Sequence, residues 1–197
     1  MLEIEDWLQM YKSGAVFTAF DTETTGLTPE EEKILEIGAI SFDKLGIRAR
    51  YNVLLNPQKK ILPEITRVNG IDDSMVSGKL LFADNVKHFL NFIGSSVLIA
   101  HNAPFDLSFV NTELSRINMP PLQNETIDTL KLSKDTLPNL GKYNLQFLAK
   151  YFTIDVVNAH RAEDDARVCM EVFLKLKEII SPEKPEEEAE QPQPEQQ

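Results

Sequence analysis

The chain of 197 residues is long enough for one domain, and its 42% hydrophobic and 26% charged residues are the ordinary mix of a globular protein. Its single cysteine, Cys169, excludes an internal disulfide and any multi-thiolate zinc site, and it fits a reducing compartment. The net charge of −11 argues against a broad basic surface for nucleic acid, although carboxylates gathered around divalent cations can form a locally neutral site.

We predict one domain over residues 1–180 that opens with an amphipathic helix at 1–14 and continues as an antiparallel three-strand meander. The strands of the meander are expected at 16–23, 33–42 and 47–55. The later elements are helices at 82–93, 104–117, 144–151 and 162–180 and strands at 97–100 and 126–130. A meander followed by alternating helices and strands predicts an α/β fold with a sheet of mixed direction.

The last 17 residues, 181–197, contain six Glu, four Pro and four Gln and no aromatic or β-branched residue. Such a composition buries too little apolar surface to offset the entropy of ordering, so we expect a disordered acidic tail. No apolar stretch approaches the roughly 18 residues that a membrane span requires, and the acidic start lacks the order of a signal peptide. We therefore expect a cytoplasmic protein without membrane contacts.

Asp21 and Glu23 stand at i and i+2 near the end of the first predicted strand. Because side chains alternate along a strand, both project from one face. Two neighbouring carboxylates repel unless a proton or cation separates them, and hard oxygen ligands suit Mg²⁺ or Mn²⁺. An Asp-x-Glu pair can also simply mark the exit from the strand into the turn at 24–26, so both interpretations stay open at this point.

Asp106 and Asp165 lie in predicted helices, and helical periodicity places each on an inward-facing stripe. Asp106 is in the first turn of its helix, where an acid also complements the helix dipole, yet its stripe is otherwise apolar. The same helical periodicity predicts that Asp165 faces inward and Asp164 faces outward. We therefore interpret Asp164 as a surface charge. The apolar neighbours are Phe109, Val110, Leu114 and Ile117 for Asp106, and Val168, Cys169, Val172 and Leu176 for Asp165.

His160 is the histidine that we single out, because it stands in a loop five residues before Asp165. An imidazole accepts a proton near neutral pH, so a histidine beside an inward-facing acid can act as a general base. His88 falls on the polar side of its helix, and we expect it at the surface. His101 ends a predicted strand, where we expect it to hydrogen-bond locally.

Three motifs resemble those of the DEDDh 3′→5′ exonuclease family, which includes the proofreading epsilon subunit of bacterial DNA polymerase III: FDTETTGL, HNAPFDLSFV and HRAEDDA. The likeness spans about residues 15 to 178. It implies a ribonuclease H-like fold with a complete catalytic set. By motif position the metal carboxylates are Asp21, Glu23, Asp106 and Asp165, and the general base is His160.

The resemblance also implies a set of residues that contact the terminal nucleotide. They are Thr22, Thr24 and Leu27 in the first motif and Glu64 in the spacer. We also expect Asn102, Phe105 and Phe109 in the second motif to contact the DNA strand. Phe105 and Phe109 are the expected stacking aromatics. Asn69 stands at the spacer position where the family usually has a His.

The implied reaction is hydrolysis from the 3′ end of DNA with two Mg²⁺ or Mn²⁺ ions, which releases nucleoside 5′-monophosphates. The expected partners are single-stranded 3′ ends, bound weakly and distributively, and a DNA polymerase. Two alternatives remain: an RNA exonuclease with the same metal centre, and a non-catalytic polymerase accessory module. The oligomeric state is not readable from the sequence.

Overall fold

The central feature of the protein is a five-stranded mixed sheet; the structure, a computed structural model, describes residues 2–182. The strands are β1 (Phe17–Thr24), β2 (Ile34–Asp43), β3 (Gly46–Leu54), β4 (Val97–Ala100) and β5 (Thr126–Asp128), in the spatial order β3-β2-β1-β4-β5. The first three strands pair antiparallel, whereas β4 and β5 run parallel to β1. The predicted meander and the mixed direction of the sheet are confirmed.

Helices pack against both faces of this sheet. They are α1 (Ile4–Lys12), α2 (Pro63–Asn69), α3 (Asp73–Val76), α4 (Phe82–Ile93), α5 (Ala103–Arg116), α6 (Thr129–Thr136), α7 (Leu145–Tyr151) and α8 (Ala162–Ile180). Both α4 and α8 have the predicted bounds. None of these helices, within residues 2–182, is long and apolar enough to span a membrane.

The predicted strand at 126–130 is too long, because Asp128 ends it. The Asp128 carboxylate accepts the backbone N–H of Leu130 at 2.9 Å and so caps α6, which the sequence analysis missed. The short helices α2 and α3 were also missed, although Pro63 and the Asp72 cap mark their starts. The predicted tail lies outside the described residues from position 183 onward.

Alternation along β1 divides the core into two layers. Phe17 and Ala19 face α8 and pack with Trp7 and Phe173, whereas Phe20 faces α4 and α5 on the other side. Each fully buried large side chain of this kind contributes roughly 1.5–3 kcal/mol to folding. The α8 face of β1 therefore continues from the apolar core directly to the acidic residues at the end of the strand.

Gly38 on β2 allows the start of α8 to lie directly on the sheet. A Cβ atom at this position would lie 2.1 Å from the carbonyl carbon of Ala162, a distance that no side chain tolerates. Gly38 pairs with Asp21 in the β1–β2 register. The close approach therefore brings the first turn of α8 to the part of β1 that carries the carboxylates.

Candidate active site

Asp21, Glu23 and Asp165 form an acidic cluster in which one carboxylate oxygen of each residue lies within 4.8 Å of the others. Asp21 and Glu23 come from the α8 face of β1, and Asp165 comes from the first turn of α8. The expected inward orientation of Asp165 is confirmed, since its side chain is buried with the apolar stripe of α8. Carboxylates more than 140 positions apart in sequence thus meet at one place.

Asp106 lies beside this group but outside the 4.8 Å cluster. Asp106 is only 2% exposed. Its Oδ1 atom accepts hydrogen bonds from the Thr22 backbone N–H at 2.9 Å and from the Thr22 hydroxyl at 2.8 Å. The negative charge of Asp106 nevertheless raises the pKa of Asp21, so the two carboxylates are neighbours electrostatically. The predicted burial of Asp106 at the start of α5 is confirmed.

Burial and mutual repulsion make the ionised form of this cluster unfavourable. Burial, followed by repulsion from Asp106 and Glu23, raises the pKa of Asp21 well above its usual range. Burial and the charge of Asp165 raise the pKa of Glu23 to about 8. Burial raises the pKa of Asp106 to about 7, against the opposing effect of the Thr22 hydrogen bonds. The pKa of Asp165 is also raised, again chiefly by burial.

The same electrostatics fit divalent cations. Several carboxylates held together are stable near neutral pH only with bound protons or with positive charge between them. Their oxygen atoms are the ligands that Mg²⁺ and Mn²⁺ prefer. The donor set of Asp21, Glu23 and Asp165, with Asp106 adjacent, therefore suits a hard divalent cation.

His160 lies at the rim of the cluster, exposed to solvent, with a left-handed backbone (φ 60°). Its backbone N–H donates to Oδ2 of Asp165 at 3.0 Å. The preceding loop is held by Asp164, whose carboxylate accepts the backbone N–H groups of Val157 at 2.8 Å and Asn158 at 2.7 Å. The interpretation of Asp164 as a mere surface charge is therefore wrong, because its carboxylate organises the loop that carries His160.

Residues expected to contact the substrate occupy different environments. Leu27 is 83% exposed, Glu64 and Asn102 are exposed, and Phe105 is half-buried. Phe109 is a correction to the sequence analysis, since it is fully buried in the core beneath Phe105 and offers no surface for stacking.

Thr22 and Thr24 are both buried, and their hydroxyl groups already have partners within the chain. The Thr22 hydroxyl bonds Asp106, and the Thr24 hydroxyl donates to the carbonyl of Gly26 at 2.6 Å. Thr24 therefore shapes the turn after β1, whereas Thr22 holds Asp106 at the start of α5. The histidines outside the site behave as expected, because His88 is exposed and His101 bonds the Thr129 hydroxyl at 3.0 Å.

Three further residues contact the site. Asn69 was noted from the sequence only as the position where the family usually has a His, whereas Gln146 and Glu36 were not predicted. Asn69, at the end of α2, is buried and hydrogen-bonds the Glu23 carboxylate, which lowers its pKa. Gln146 on α7 donates to Oδ1 of Asp165 at 3.2 Å. Glu36 is a fully buried acid on β2, directly opposite Glu23. A charged residue within the otherwise apolar segment ILEIGAISF was the one signal available for Glu36.

The family model RNase_T, described as Exonuclease, matches residues 18–173, a span that contains the four carboxylates and His160. The chain belongs to the exonuclease family. The resemblance carried by its three motifs is thereby confirmed. The acidic cluster fits the dependence of this exonuclease family on divalent metal ions.

Relatives of this exonuclease include a DNA polymerase III subunit and a PolC-type DNA polymerase III. The chain is 48% identical over 175 residues to the DNA polymerase III subunit epsilon of Treponema pallidum (strain Nichols), a match that covers 88% of this chain and 81% of the relative. It is 38% identical over 164 residues to the PolC-type DNA polymerase III of Caldanaerobacter subterraneus subsp. tengcongensis. That match covers 83% of this chain and 12% of the much longer relative.

Solved exonuclease structures share the fold. Exonuclease X in complex with 5′ overhanging duplex DNA superimposes with a TM-score of 0.68 and 26% identity, covering 82% of this chain and 90% of that chain. Exonuclease I of E. coli in complex with a dT13 oligonucleotide superimposes with a TM-score of 0.73 and 19% identity, covering 83% of this chain and 41% of that chain. The expected ribonuclease H-like fold is confirmed by these neighbours.

Proposed function

We propose that this exonuclease removes nucleotides from the 3′ end of DNA, releases nucleoside 5′-monophosphates, and proofreads beside a DNA polymerase. The observation that carries the proposal is the meeting of Asp21, Glu23 and Asp165 within 4.8 Å beside the exposed His160. The similarity to a DNA polymerase III epsilon subunit over most of both chains supports the proofreading role. We place this activity in the cytoplasm, because such a polymerase is a replication enzyme.

Four carboxylates would hold two Mg²⁺ or Mn²⁺ ions: Asp21, Glu23, Asp106 and Asp165. When bound, the ions supply the positive charge that offsets the phosphodiester and the negative charge that develops during hydrolysis. The chain itself prepares for this, since Thr22 orients Asp106, Gln146 orients Asp165 and Asn69 orients Glu23.

His160 acts as the general base in this proposal. Its exposed imidazole takes the proton from the attacking water and returns it to bulk solvent. The water oxygen forms the new bond to phosphorus and the bond to the 3′ oxygen of the next nucleotide breaks. That oxygen leaves as a hydroxyl by taking up a proton from solvent, which balances the proton released through His160. The hydrogen bond from the His160 backbone N–H to the Asp165 carboxylate keeps the base beside the carboxylate cluster during the reaction.

The terminal nucleotide contacts exposed groups around the cluster. Leu27 and Phe105 provide apolar surface for the base, and Glu64 and Asn102 provide polar groups nearby. Thr22 and Thr24 lie buried beneath these groups and stabilise them through hydrogen bonds from their hydroxyls to Asp106 and to the carbonyl of Gly26. Because the chain carries a net charge of −11, we propose that it grips only the end of the strand and degrades DNA distributively.

The test uses the full chain with 5′-labelled single-stranded DNA, a matched RNA and a primer–template with a mismatched 3′ end, each with Mg²⁺ or Mn²⁺. We expect stepwise shortening from the 3′ end, nucleoside 5′-monophosphate as the product, and faster removal of mismatched than paired ends. Faster turnover of RNA than of DNA would contradict the DNA assignment. Equal activity of wild type and Asp21→Asn, or none in either, would favour a non-catalytic accessory module.

A further inference from the structure

The buried carboxylate of Glu36 makes a bidentate ion pair with Arg161. Oε1 accepts a hydrogen bond from Nη2 of Arg161 at 2.7 Å. Oε2 accepts hydrogen bonds from Nε of Arg161 at 2.9 Å and from the backbone N–H of Ala162 at 3.2 Å. Glu36 is 0% exposed, whereas the Arg161 side chain is 35% exposed. Bidentate arginine–carboxylate pairs fix geometry as well as charge, and the loss of one partner strands a buried charge.

This pair joins two parts of the site that are distant in sequence. Glu36 lies directly opposite Glu23 in the β1–β2 register, and Arg161 follows His160 immediately. Asp164 and Asp165 hold the His160 loop from α8 itself. Glu36, in contrast, holds the same segment from the sheet, so it relates the loop to the strand that carries the carboxylates.

Glu36 is poorly suited to bind a metal ion itself. Both of its oxygen atoms already accept hydrogen bonds from Arg161, and one also accepts from Ala162. The charge of Arg161 compensates Glu36 beside an already crowded set of acids. The close approach of Ala162 to Gly38, two residues along β2, adds a backbone contact to the same anchor.

We propose that the Glu36–Arg161 pair is a positioning device for hydrolysis, which fixes the His160 backbone and the first turn of α8 relative to Asp21 and Glu23. This inference rests on the proposed function and extends it, because neither residue touches the substrate in that proposal. A structural pair that only stabilised the fold would affect unfolding; a positioning pair also changes turnover in the folded enzyme.

The outer side of Arg161 borders an open cavity of about 380 Å³, which Asn52 and Asn158 also line. Removal of the Arg161 side chain enlarges this opening and leaves the Glu36 carboxylate without its guanidinium. Free guanidinium ion is small enough to enter and can restore the bidentate contact. Chemical rescue therefore offers a direct probe of the pair.

The experiment compares wild type, Arg161→Ala and Arg161→Lys with Arg50→Ala as the matched control. Arg50 also contacts the first turn of α8, through Glu163 at 3.3 Å, but from the exposed edge strand β3. We expect Arg161→Ala to lower kcat on single-stranded DNA by at least about tenfold with KM nearly unchanged, since the loss concerns orientation. The kcat of Arg161→Lys should lie between those of wild type and Arg161→Ala, because lysine keeps the positive charge but cannot make the bidentate contact. The kcat of Arg50→Ala should match that of wild type.

Low concentrations of guanidinium chloride, well below those that unfold the protein, should restore part of the kcat of Arg161→Ala. The same concentration of sodium chloride should not. The double variant Arg161→Ala/His160→Ala should be slower than His160→Ala by a smaller factor than Arg161→Ala is slower than wild type, because part of the effect of the arginine is exerted through the histidine loop. Additive losses, absent rescue, or wild-type kcat in a folded Arg161→Ala would each overturn the proposal.

Hydrogen exchange of residues 155–161 gives a readout that does not depend on activity. The His160 amide donates to Asp165, so we expect its exchange to be at least about tenfold faster in Arg161→Ala and unchanged in Arg50→Ala. Equal exchange in all variants would overturn the positioning role. An inactive wild type would refute the proposed function, whereas the exchange result would still decide whether the pair anchors the loop. Arg161→Lys carries both tests if Arg161→Ala does not fold.

Discussion

Thr22 donates two hydrogen bonds to the same oxygen of Asp106, one from its backbone N–H at 2.9 Å and one from its hydroxyl at 2.8 Å. The two residues are 84 positions apart, on β1 and at the start of α5. Thr22 points away from the α8 face that carries Asp21, yet through this contact the strand holds a fourth carboxylate beside the cluster. The contact also lowers the pKa of Asp106, which burial alone would raise further.

Thr22→Val keeps the shape of the side chain but removes the hydroxyl bond, so the pKa of Asp106 should rise above about 7. At pH 7 more of Asp106 is then protonated, and more divalent metal is needed for half-maximal activity. The deficit should shrink at pH 8.5, where the carboxylate ionises again. Titration of activity with Mg²⁺ at both pH values measures this. The control is Thr18→Val, also on β1, which loses the hydrogen bond that Thr18 accepts from the hydroxyl of Ser96, the residue before β4. An equal shift in this control would refute the argument.

Asp21→Asn should abolish activity and stabilise the metal-free protein. Loss of a central ligand is expected to cost at least about 100-fold in kcat, because charge stabilisation by the metal centre is the main catalytic effect. The raised pKa of Asp21 means that its ionised form destabilises the fold, so a neutral amide relieves repulsion. Thermal unfolding at pH 8 with a chelator should therefore show a higher Tm than wild type. Asp135→Asn, at an exposed residue of α6, should change neither quantity.

The metal-free protein should lose stability as the pH rises from about 4.5 towards 8. In the folded state the pKa of Glu23 is about 8 and that of Asp106 about 7, against 4.5 and 3.8 for the free groups, so the folded protein binds more protons across this window. A difference of even one pKa unit between the folded and unfolded states changes the free energy of unfolding by about 1.4 kcal/mol, or the Tm of a domain this size by roughly 3–6 °C.

Saturating Mg²⁺ or Mn²⁺ should reverse this trend, because a cation replaces the protons and favours the ionised carboxylates. Differential scanning calorimetry across pH 5–9, with and without metal, measures both effects. A metal-free Tm that rose steadily between pH 5 and 8 would contradict the assignment of raised pKa values to Glu23 and Asp106.

Gly38→Ala should destabilise the protein severely. The added Cβ would lie 2.1 Å from the backbone of Ala162, so α8 must move off β2. Overpacking against rigid backbone costs about 3 kcal/mol or more, which urea unfolding at pH 6 can quantify. If the variant still folds, kcat should fall along with stability, because the displaced turn carries Asp165. Wild-type stability would show that α8 is less tightly seated than the geometry indicates.

Removal of residues 183–197 should leave the chemistry intact. We propose that residues 1–180 form the catalytic domain, since the site residues all lie before position 166. The removed segment carries six Glu and one Lys, so its loss reduces the charge that repels DNA phosphates. We expect kcat to be unchanged and KM to be unchanged or lower at low salt. A large loss of kcat in the truncated chain would assign the segment a role in turnover.

Local sequence patterns determined which side chains share a face. Alternation along β1 put Asp21 and Glu23 together, and helical periodicity placed Asp165 on the core-facing side of its helix without knowledge of the fold. The same stripe that buried Asp106 also contained Phe109. Its expected role in stacking was therefore incompatible with its own periodicity, and the structure buries it.

Tertiary structure alone decided what each face meets. The partners of Glu36, Thr22 and Asn69 are Arg161, Asp106 and Glu23, and each lies on another element of the fold. Period and spacing describe the direction of a side chain relative to its own backbone. Pairing between distant segments depends on strand register and on how closely α8 approaches Gly38, which are properties of the packed sheet as a whole.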